Sequence, residues 1–366
     1  MVSQPSGFVL TVNGVPVKEA TPTRLWRKNN QAAILDFDIP IKTFLSYRDI
    51  HLLFRQGDIL QLYYGIGTGA QRVFYGYLPA EGADRNLKEG DTRVHLTAVD
   101  FIGQLQSRTI TLGDSASSFF NPVGGEIGGV IASLVQDAID AQYAAPAFSI
   151  QGVEGTNPAQ TISDEDAGLG TKTTKAAIDA YTKLAYDDAV FPDAPLLYEY
   201  HQRDQYFIWR KQRSLATGIA SMIVTIGQDA IPSGMVERQP IYTDALVTGT
   251  TGEAVWQHAD RDTSRRWGGR RFTLSAKTTS SNLSDAYDSA VRNVEIAKHE
   301  RTSFSLDMLR DPFLLYPGDI VDLRSGRAFT LTDGLYRVEE VDVRLSPTVR
   351  TRVTVGTQRR GLADFF

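Results

Sequence analysis

Two stretches of this chain spell nearly the same strand. Residues 54–65 read FRQGDILQLYYG and residues 315–326 read LYPGDIVDLRSG, aligned without a gap at an offset of 261 positions, as from Gly57 to Gly318 and from Gly65 to Gly326. Gly57/Gly318, Asp58/Asp319, Ile59/Ile320, Leu62/Leu323 and Gly65/Gly326 are identical, and Leu60/Val321 is conservative. A short match of this quality arises by chance in a chain this long, so its weight comes from its surroundings. In both places the Gly-Asp-led strand ends at a glycine. A Val/Phe/Tyr-rich strand follows (RVFYGYL; LYRVEEVDV), and then one more (RVHLTAVD; RTRVTVG). A repeated order of strands predicts two related β units in one polypeptide.

The bulk properties agree. A length of 366 residues exceeds one ordinary core and suggests two or three domains. Hydrophobic content of 42% and charged content of 22% are those of a folded chain, and 31 Gly, 15 Tyr and 17 Phe lean toward strands joined by tight turns. A net charge of −5 argues against a dedicated nucleic-acid binder, whose affinity would come from Lys and Arg neutralising phosphates. With no cysteine, disulfides and thiolate metal sites are excluded. The first residues, MVSQPSGFVLTVNG, hold no basic segment or long apolar run, and no later stretch approaches the ~18 apolar residues of a membrane-spanning helix. The expectation is a chain made in the cytoplasm, with no visible export signal.

Residues 1–112 read as strands. In FVLTVNGVPV, Asn13-Gly14 between β-rich runs predicts a two-residue hairpin. In AAILDFDIP, Ala33, Leu35, Phe37 and Ile39 alternate with Asp36 and Asp38, the pattern of a half-buried strand. From 113 to 235 the texture is mixed. EIGGVIASLVQDAIDAQY places Ile127, Val130, Ile131, Leu134, Val135 and Ala138 at helical spacing. KAAIDAYTKLAYDDAVF predicts a second helix, ended by Pro192 and Pro195, and PLLYEYHQRDQYFIWRKQ a hairpin turning at Arg203-Asp204. From 236 to 366 strands return, with one helix over SNLSDAYDSAVRNVEIAKHE whose Asp285 and Asp288 lie near its N-terminus. The predicted class is α+β, mainly β: two related small antiparallel barrels (1–112 and 236–366) flanking an α/β insertion (113–235).

The pattern resembles the baseplate-hub, or tail-hub, family of long-tailed bacteriophages and related contractile injection systems. It is carried by GFVLTVNGVPV, QGDILQLYYG, RVFYGYLPA and VHLTAVDFIGQL in the first unit. RRWGGRRFTLSAKTTSSNLSDAYDSAVRNV, YPGDIVDLRSG and GLYRVEEVDVRLS carry it in the second. The resemblance implies two tail-tube-like barrels per subunit, and a homotrimer whose six barrels continue a sixfold tube. It implies a tail tube or distal tail protein on one side, a spike or fibre protein on the other, and a tape-measure protein as a further partner. It also implies a channel that genomic DNA crosses without specific binding, and a place in the virion at the tail tip or baseplate. No enzyme activity, cofactor or metal is implied.

Candidate sites are few. Gly65, Gly67 and Gly69 in YYGIGTGA invite a dinucleotide-loop reading, but a strand-like QRVFYGYL follows where that motif needs a helix, so a hairpin loop is preferred. The histidines (His51, His95, His201, His258 and His299) show no paired ligand spacing, although His258, Asp260 and Asp262 would share one side of an extended strand. Arg261, Arg265, Arg266, Arg270 and Arg271 gather around Trp267, a composition for which a subunit or partner interface ranks first, a solvated face second and a DNA contact a distant third. Acid groups at Asp164, Glu165 and Asp166 and at Asp187 and Asp188 keep open a second class, a glycan- or peptidoglycan-degrading enzyme with its site in the insertion. A third class is a carbohydrate-binding module using Tyr198, Tyr200 and Trp209 as an exposed stacking platform. No G-x-S-x-G, Walker loop or cysteine nucleophile is present.

Overall fold

The computed structural model describes residues 7–40, 54–65, 69–79, 93–107, 126–140, 148–155, 173–187, 196–213, 215, 219–238, 244–248, 255–259, 273–277, 300–309, 315–325, 333–346 and 348–359. The chain is α+β and mainly β. The first unit holds β1 (Phe8–Val12), β2 (Val15–Pro16), β3 (Thr21–Lys28), β4 (Ile34–Pro40), β5 (Ile59–Tyr64), β6 (Gln71–Tyr77) and β7 (Arg93–Asp100). A 3-10 turn (Phe101–Gly103) and α1 (Gln104–Ser107) follow, then α2 (Ile127–Asp140), β8 (Ser149–Val153), α3 (Thr174–Leu184), β9 (Tyr186–Asp187), β10 (Leu196–Arg203) and β11 (Tyr206–Lys211). Beyond these come β12 (Met222–Ile226), β13 (Ala230–Arg238), β14 (Asp244–Thr248), β15 (Val255–Ala259), β16 (Thr273–Lys277), β17 (Glu300–Met308), β18 (Ile320–Ser325), β19 (Gly334–Arg344) and β20 (Arg350–Arg359).

The sequence repeat has a structural counterpart. In one half the strands run in the order β3-β4-β7-β6-β5-β1, and in the other β13-β17-β20-β19-β18-β12. Strand for strand these orders are the same, with β5 and β18 carrying the repeated motif. The second set closes into a six-stranded barrel through the β18–β19 pairing. One pairing differs in direction: β1 runs antiparallel to β5, whereas β12 runs parallel to β18. The contact just outside the motif is nevertheless kept, since the Asn13 amide bonds the Ile59 carbonyl and the Ser221 amide bonds the Ile320 carbonyl.

Alternation explains the core. Leu35, Phe37 and Ile39 of β4 and Phe304, Leu306 and Met308 of β17 point inward, as do Leu60 and Leu62 of β5 and Val321 and Leu323 of β18. The inward faces of the closed second barrel and of the first set, whose end strands β1 and β3 show no ladder pairing among the described residues, belong to one continuous apolar cluster. The barrels are joined by a seam in which β19 pairs antiparallel with β3, from Glu340↔Lys28 to Arg344↔Arg24. The register of β19 against β20 slips at Glu339, between the pairs Val338↔Val355 and Glu340↔Thr354, and a Cβ at Gly356 would come within 1.8 Å of the Glu339 carboxylate. Such a bulge bends a strand. Here it separates the segment of β19 that closes the second barrel on β18 from the segment that reaches β3.

The hairpin at Asn13-Gly14 forms as expected, with both residues at positive φ (48° and 81°) and Val12 paired with Val15. β5 and β6 pair antiparallel, so a strand follows Gly69 where a dinucleotide motif needs a helix; Gly67 lies outside the described residues. The helix expected to run toward Pro192 ends at Leu184. Ala185 is already extended, and Tyr186–Asp187 pair with Leu196–Leu197. The segment 222–238 pairs with β17 and β18 in the large sheet. No helix among the described residues is long and apolar enough to cross a membrane.

Candidate functional site: a duplicated outer face and a buried junction

Superposing the pairings extends the repeat to the outside of the barrels. Ile59 and Ile320 oppose Tyr77 and Arg337; these pair with Val99 and Gly356, which in turn oppose Ile34 and Ser303. In this register Asp38 corresponds to Asp307, His95 to Arg352, Asp36 to Ser305 and Thr97 to Thr354. His95 Nδ1 lies 2.9 Å from Asp38 Oδ1, and Arg352 Nε donates to Asp307 Oδ1 at 2.9 Å. Thr97 Oγ1 donates to Asp36 at 2.8 Å, and Ser305 and Thr354 hydroxyls lie 3.2 Å apart. The face continues across the seam, where Arg24 forks onto Asp342 at 2.8 and 3.1 Å and Trp26 Nε1 donates to Glu340 at 2.8 Å. Six adjacent strands, β7-β4-β3-β19-β20-β17, thus present a polar surface on which acids and bases are paired across strands.

Behind the seam lies a buried junction built on the inserted sheet β8-β11-β10-β9. The strand period of 2 gives β10 and β11 two dissimilar faces. On one, Tyr198, Tyr200, Phe207 and Trp209 are buried against α2 and α3. Tyr198 stacks on Trp209 at 4.3 Å, and Trp209 Nε1 donates to Thr182 at 3.0 Å. These residues were expected to form an exposed platform for sugars. They are instead the core of the insertion, because helices cover that face.

The opposite face carries Glu199, His201, Arg203 and Arg210 toward the second motif. The guanidiniums of Arg27 and Arg203 both lie over the Tyr316 ring, 4.3 and 4.7 Å from its centre. Glu199, fully buried, accepts from Asn29 Nδ2 at 3.0 Å and lies 3.6 Å from Arg210 Nε. Burial raises its pKa, opposed by Arg337 and Arg210. Burial likewise pushes Asp100 up to about 7, against the pull of the Ala33, Ile102 and Gly103 amides. His201 falls to about 3, through burial first and then the nearby arginines, so it is neutral; its ring nitrogens make no hydrogen bond among the described residues.

The β3–β4 turn locks the three parts together. Asn30, at φ 60°, donates its amide to the Tyr200 carbonyl at 3.0 Å, and its side chain accepts the Tyr200 amide at 2.9 Å. Its carbonyl accepts the Tyr200 hydroxyl at 2.9 Å, while the Asn29 amide reaches the Glu339 carbonyl at 3.3 Å. Sequence reasoning passed over Asn29-Asn30, although paired asparagines between two strands are a turn signal.

The proposed interface residues Arg265, Arg266, Trp267, Arg270 and Arg271 lie outside the described residues, as do Arg261, Asp260, Asp262, Asp164, Glu165, Asp166, Asp188, His51, His299 and the helix expected at Asp285 and Asp288. His258 sits in β15, opposite Ala245. Among the described residues no cluster of three or more His, Asp or Glu is arranged to hold a metal ion.

No protein-family model matches the sequence, and no curated protein matches it. Solved structures do. The tail protein from Neisseria meningitidis MC58 aligns over 96% of this chain and 97% of its own, with a TM-score of 0.60 at 12% identity. The 43 kDa tail protein of prophage MuSo2 from Shewanella oneidensis covers 95% and 97% with a TM-score of 0.58 at 13% identity. Prophage tail protein gp18 from Listeria monocytogenes EGD-e covers 98% and 97% with a TM-score of 0.51 at 8% identity. Nearly the whole chain therefore has the fold of these phage tail proteins, as the resemblance read from the sequence implied.

Proposed function

We propose that this chain is a structural hub of a phage-type tail, a homotrimer whose six barrels ring a channel. The observation that carries the reading is the duplicated outer face. Core positions recur because a barrel needs them, but outward positions answer to what the surface meets. Equivalent cross-strand pairs at Asp38–His95 and Asp307–Arg352 fit two barrels meeting one environment. Three copies of a two-barrel chain present six similar faces, which adapts threefold to sixfold symmetry. A lining whose acids are matched by bases in its own sheet would neither hold nor strongly repel the phosphates of passing DNA.

In this reading a tail tube or distal tail protein stacks on one rim and a spike or fibre protein on the other, with a tape-measure protein in the channel during assembly. The chain acts without a catalytic centre, in the virion at the tail tip. Native mass measurement and electron microscopy of the purified chain test the reading: a three-subunit ring with an open pore is expected. A monomer with hydrolase activity on peptidoglycan would overturn it in favour of the enzyme.

A further inference from the structure

In the first barrel the Gly-Asp turn is fastened to the β1–β2 hairpin through one side chain. Asn13 Nδ2 donates to Asp58 Oδ1 at 2.9 Å, Asn13 Oδ1 accepts the Ile59 amide at 2.9 Å, and the Asn13 amide donates to the Ile59 carbonyl at 2.8 Å. At the second motif the matching backbone contact comes from Ser221, whose side chain carries no amide. Asn13-Gly14 is also the one Asn-Gly pair in the sequence.

That pair has a chemistry of its own. Glycine has no Cβ to shield its backbone nitrogen from the preceding side chain. The Gly14 nitrogen can attack Asn13 Cγ, forming a C–N bond and a five-membered succinimide. The Cγ–Nδ2 bond breaks, and ammonia leaves with the proton given up by the Gly14 amide. Water then opens the ring at one of its two carbonyls, leaving aspartate or, with the backbone routed through the side chain, isoaspartate. Water is the sole co-reactant, and both residues are exposed to it.

The fold opposes the first step. Asn13 is left-handed at φ 48°. A ψ of about +47°, usual in that region, turns the next nitrogen away from Cβ, whereas the ring needs the two on one side. Both ends of the side-chain amide are also held, one by Asp58 and the other by Ile59. Ring closure therefore requires the hairpin to let go of the motif. Refolding does not undo the change. A carboxylate at position 13 would stand where an amide now donates to Asp58, so two like charges would meet at hydrogen-bond distance. Asp58 Oδ2 accepts the Arg55 amide at 2.6 Å, which passes the disturbance into the Gly-Asp turn.

We propose that Asn13 is a deamidation site which the first motif holds closed, and that its conversion is a one-way record of the first barrel having opened. The full chain, kept folded or unfolded in guanidinium chloride in mildly alkaline buffer, tests this by peptide mass spectrometry of the amide-to-acid mass gain at Asn13. Conversion should be at least about tenfold slower in the folded chain. Equal rates in the two states overturn the proposal, as does an unfolded chain that does not convert. Asp58→Ala should raise the folded rate about threefold or more, the effect of losing one hydrogen bond. A folded variant that converts at the parent's rate overturns the assignment of the restraint to the motif. Asn13→Asp adds an arm that does not depend on that variant folding. Its Arg55 and Ile59 amides should exchange hydrogen at least about threefold faster than the parent's. Unchanged exchange would mean that conversion leaves the turn fastened, and the site would record nothing.

Discussion

The two Gly-Asp turns have the same internal geometry and opposite surroundings. At the first, the Gly57 amide bonds the Leu78 carbonyl at 2.8 Å, the Asp58 amide bonds the Arg55 carbonyl at 3.0 Å, and Asp58 Oδ2 accepts the Arg55 amide at 2.6 Å. At the second, Gly318 bonds Val338 at 2.7 Å, Asp319 bonds Tyr316 at 3.0 Å, and Asp319 Oδ2 accepts the Tyr316 amide at 2.9 Å. Both glycines sit at positive φ, 88° and 83°. A Cβ at Gly57 would meet nothing within 4 Å, whereas one at Gly318 would lie 2.0 Å from Glu199 Oε1 and 2.8 Å from Arg210 Nη2. The motif is thus kept by the turn's own hydrogen bonds, and the second copy has in addition become the floor under the insertion.

That difference sets the largest expected effect. Gly57→Ala should cost about 1–2 kcal/mol, the penalty of a left-handed backbone carrying a side chain. Gly318→Ala should cost about 3–5 kcal/mol, because it must also displace a buried ion pair. Urea unfolding of the two variants gives the comparison directly, and equal losses would show that the insertion does not bear on the second turn.

Acidity separates the two sides next. Asp100, raised to about 7 from 3.8, contributes stability that is present below pH ~4 and lost as the pH rises through about 7. His201, lowered to about 3 from 6.5, contributes stability present above pH ~6.5 and lost as the pH falls toward 3. The slopes oppose each other between, so the parent should show a shallow profile from pH 4 to 6.5. Asp100→Asn should leave the histidine's slope exposed, with stability falling by roughly 2–4 kcal/mol as the pH drops from 6.5 to 4. Denaturant midpoints across that range measure it; an unchanged profile would mean that neither group titrates differently on folding.

A smaller coupling sharpens the comparison. If Glu199 is what an added methyl at 318 strikes, Gly318→Ala and Glu199→Ala together should cost less than their sum, by roughly 1–3 kcal/mol. Gly57→Ala with Glu199→Ala should be additive within about 0.5 kcal/mol. Coupling of equal size in both cycles would mean that the effect does not come from contact at Gly318.

The elements legible in the sequence are those whose cause is local. Leu35, Phe37 and Ile39 announce an inward face by alternation, Asn13-Gly14 announces a turn by its tolerance of positive φ, and the repeated GDI announces a second barrel. What the sequence hid is long-range. Tyr198, Tyr200 and Trp209 alternate with Glu199, His201 and Arg210, a pattern that shows two faces but not which one the helices cover. The end of α3 at Leu184 was hidden for the same reason, since Tyr186–Asp187 take their strand form from pairing with Leu196–Leu197, beyond the prolines. Of the junction only the residues of the repeated motif, Tyr316 and Gly318, were visible, because the other members come from β3 and the turn after it, β7, β10, β11 and β19.

The smallest predicted effects bear on the largest claim. Asp307→Ala against Arg352→Ala, and Asp38→Ala against His95→Ala, should each show a coupling of about 0.2–1 kcal/mol, as half-exposed pairs do. Energies so small could not by themselves account for the recurrence of these pairs at matched outward positions, since a barrel with one pair lost would still fold. Their duplication is then explained by what the face meets. Double-mutant cycles on the isolated chain decide the point: a coupling near 3 kcal/mol in either pair would make folding a sufficient reason for both, and the duplicated surface would lose its force as a sign of function.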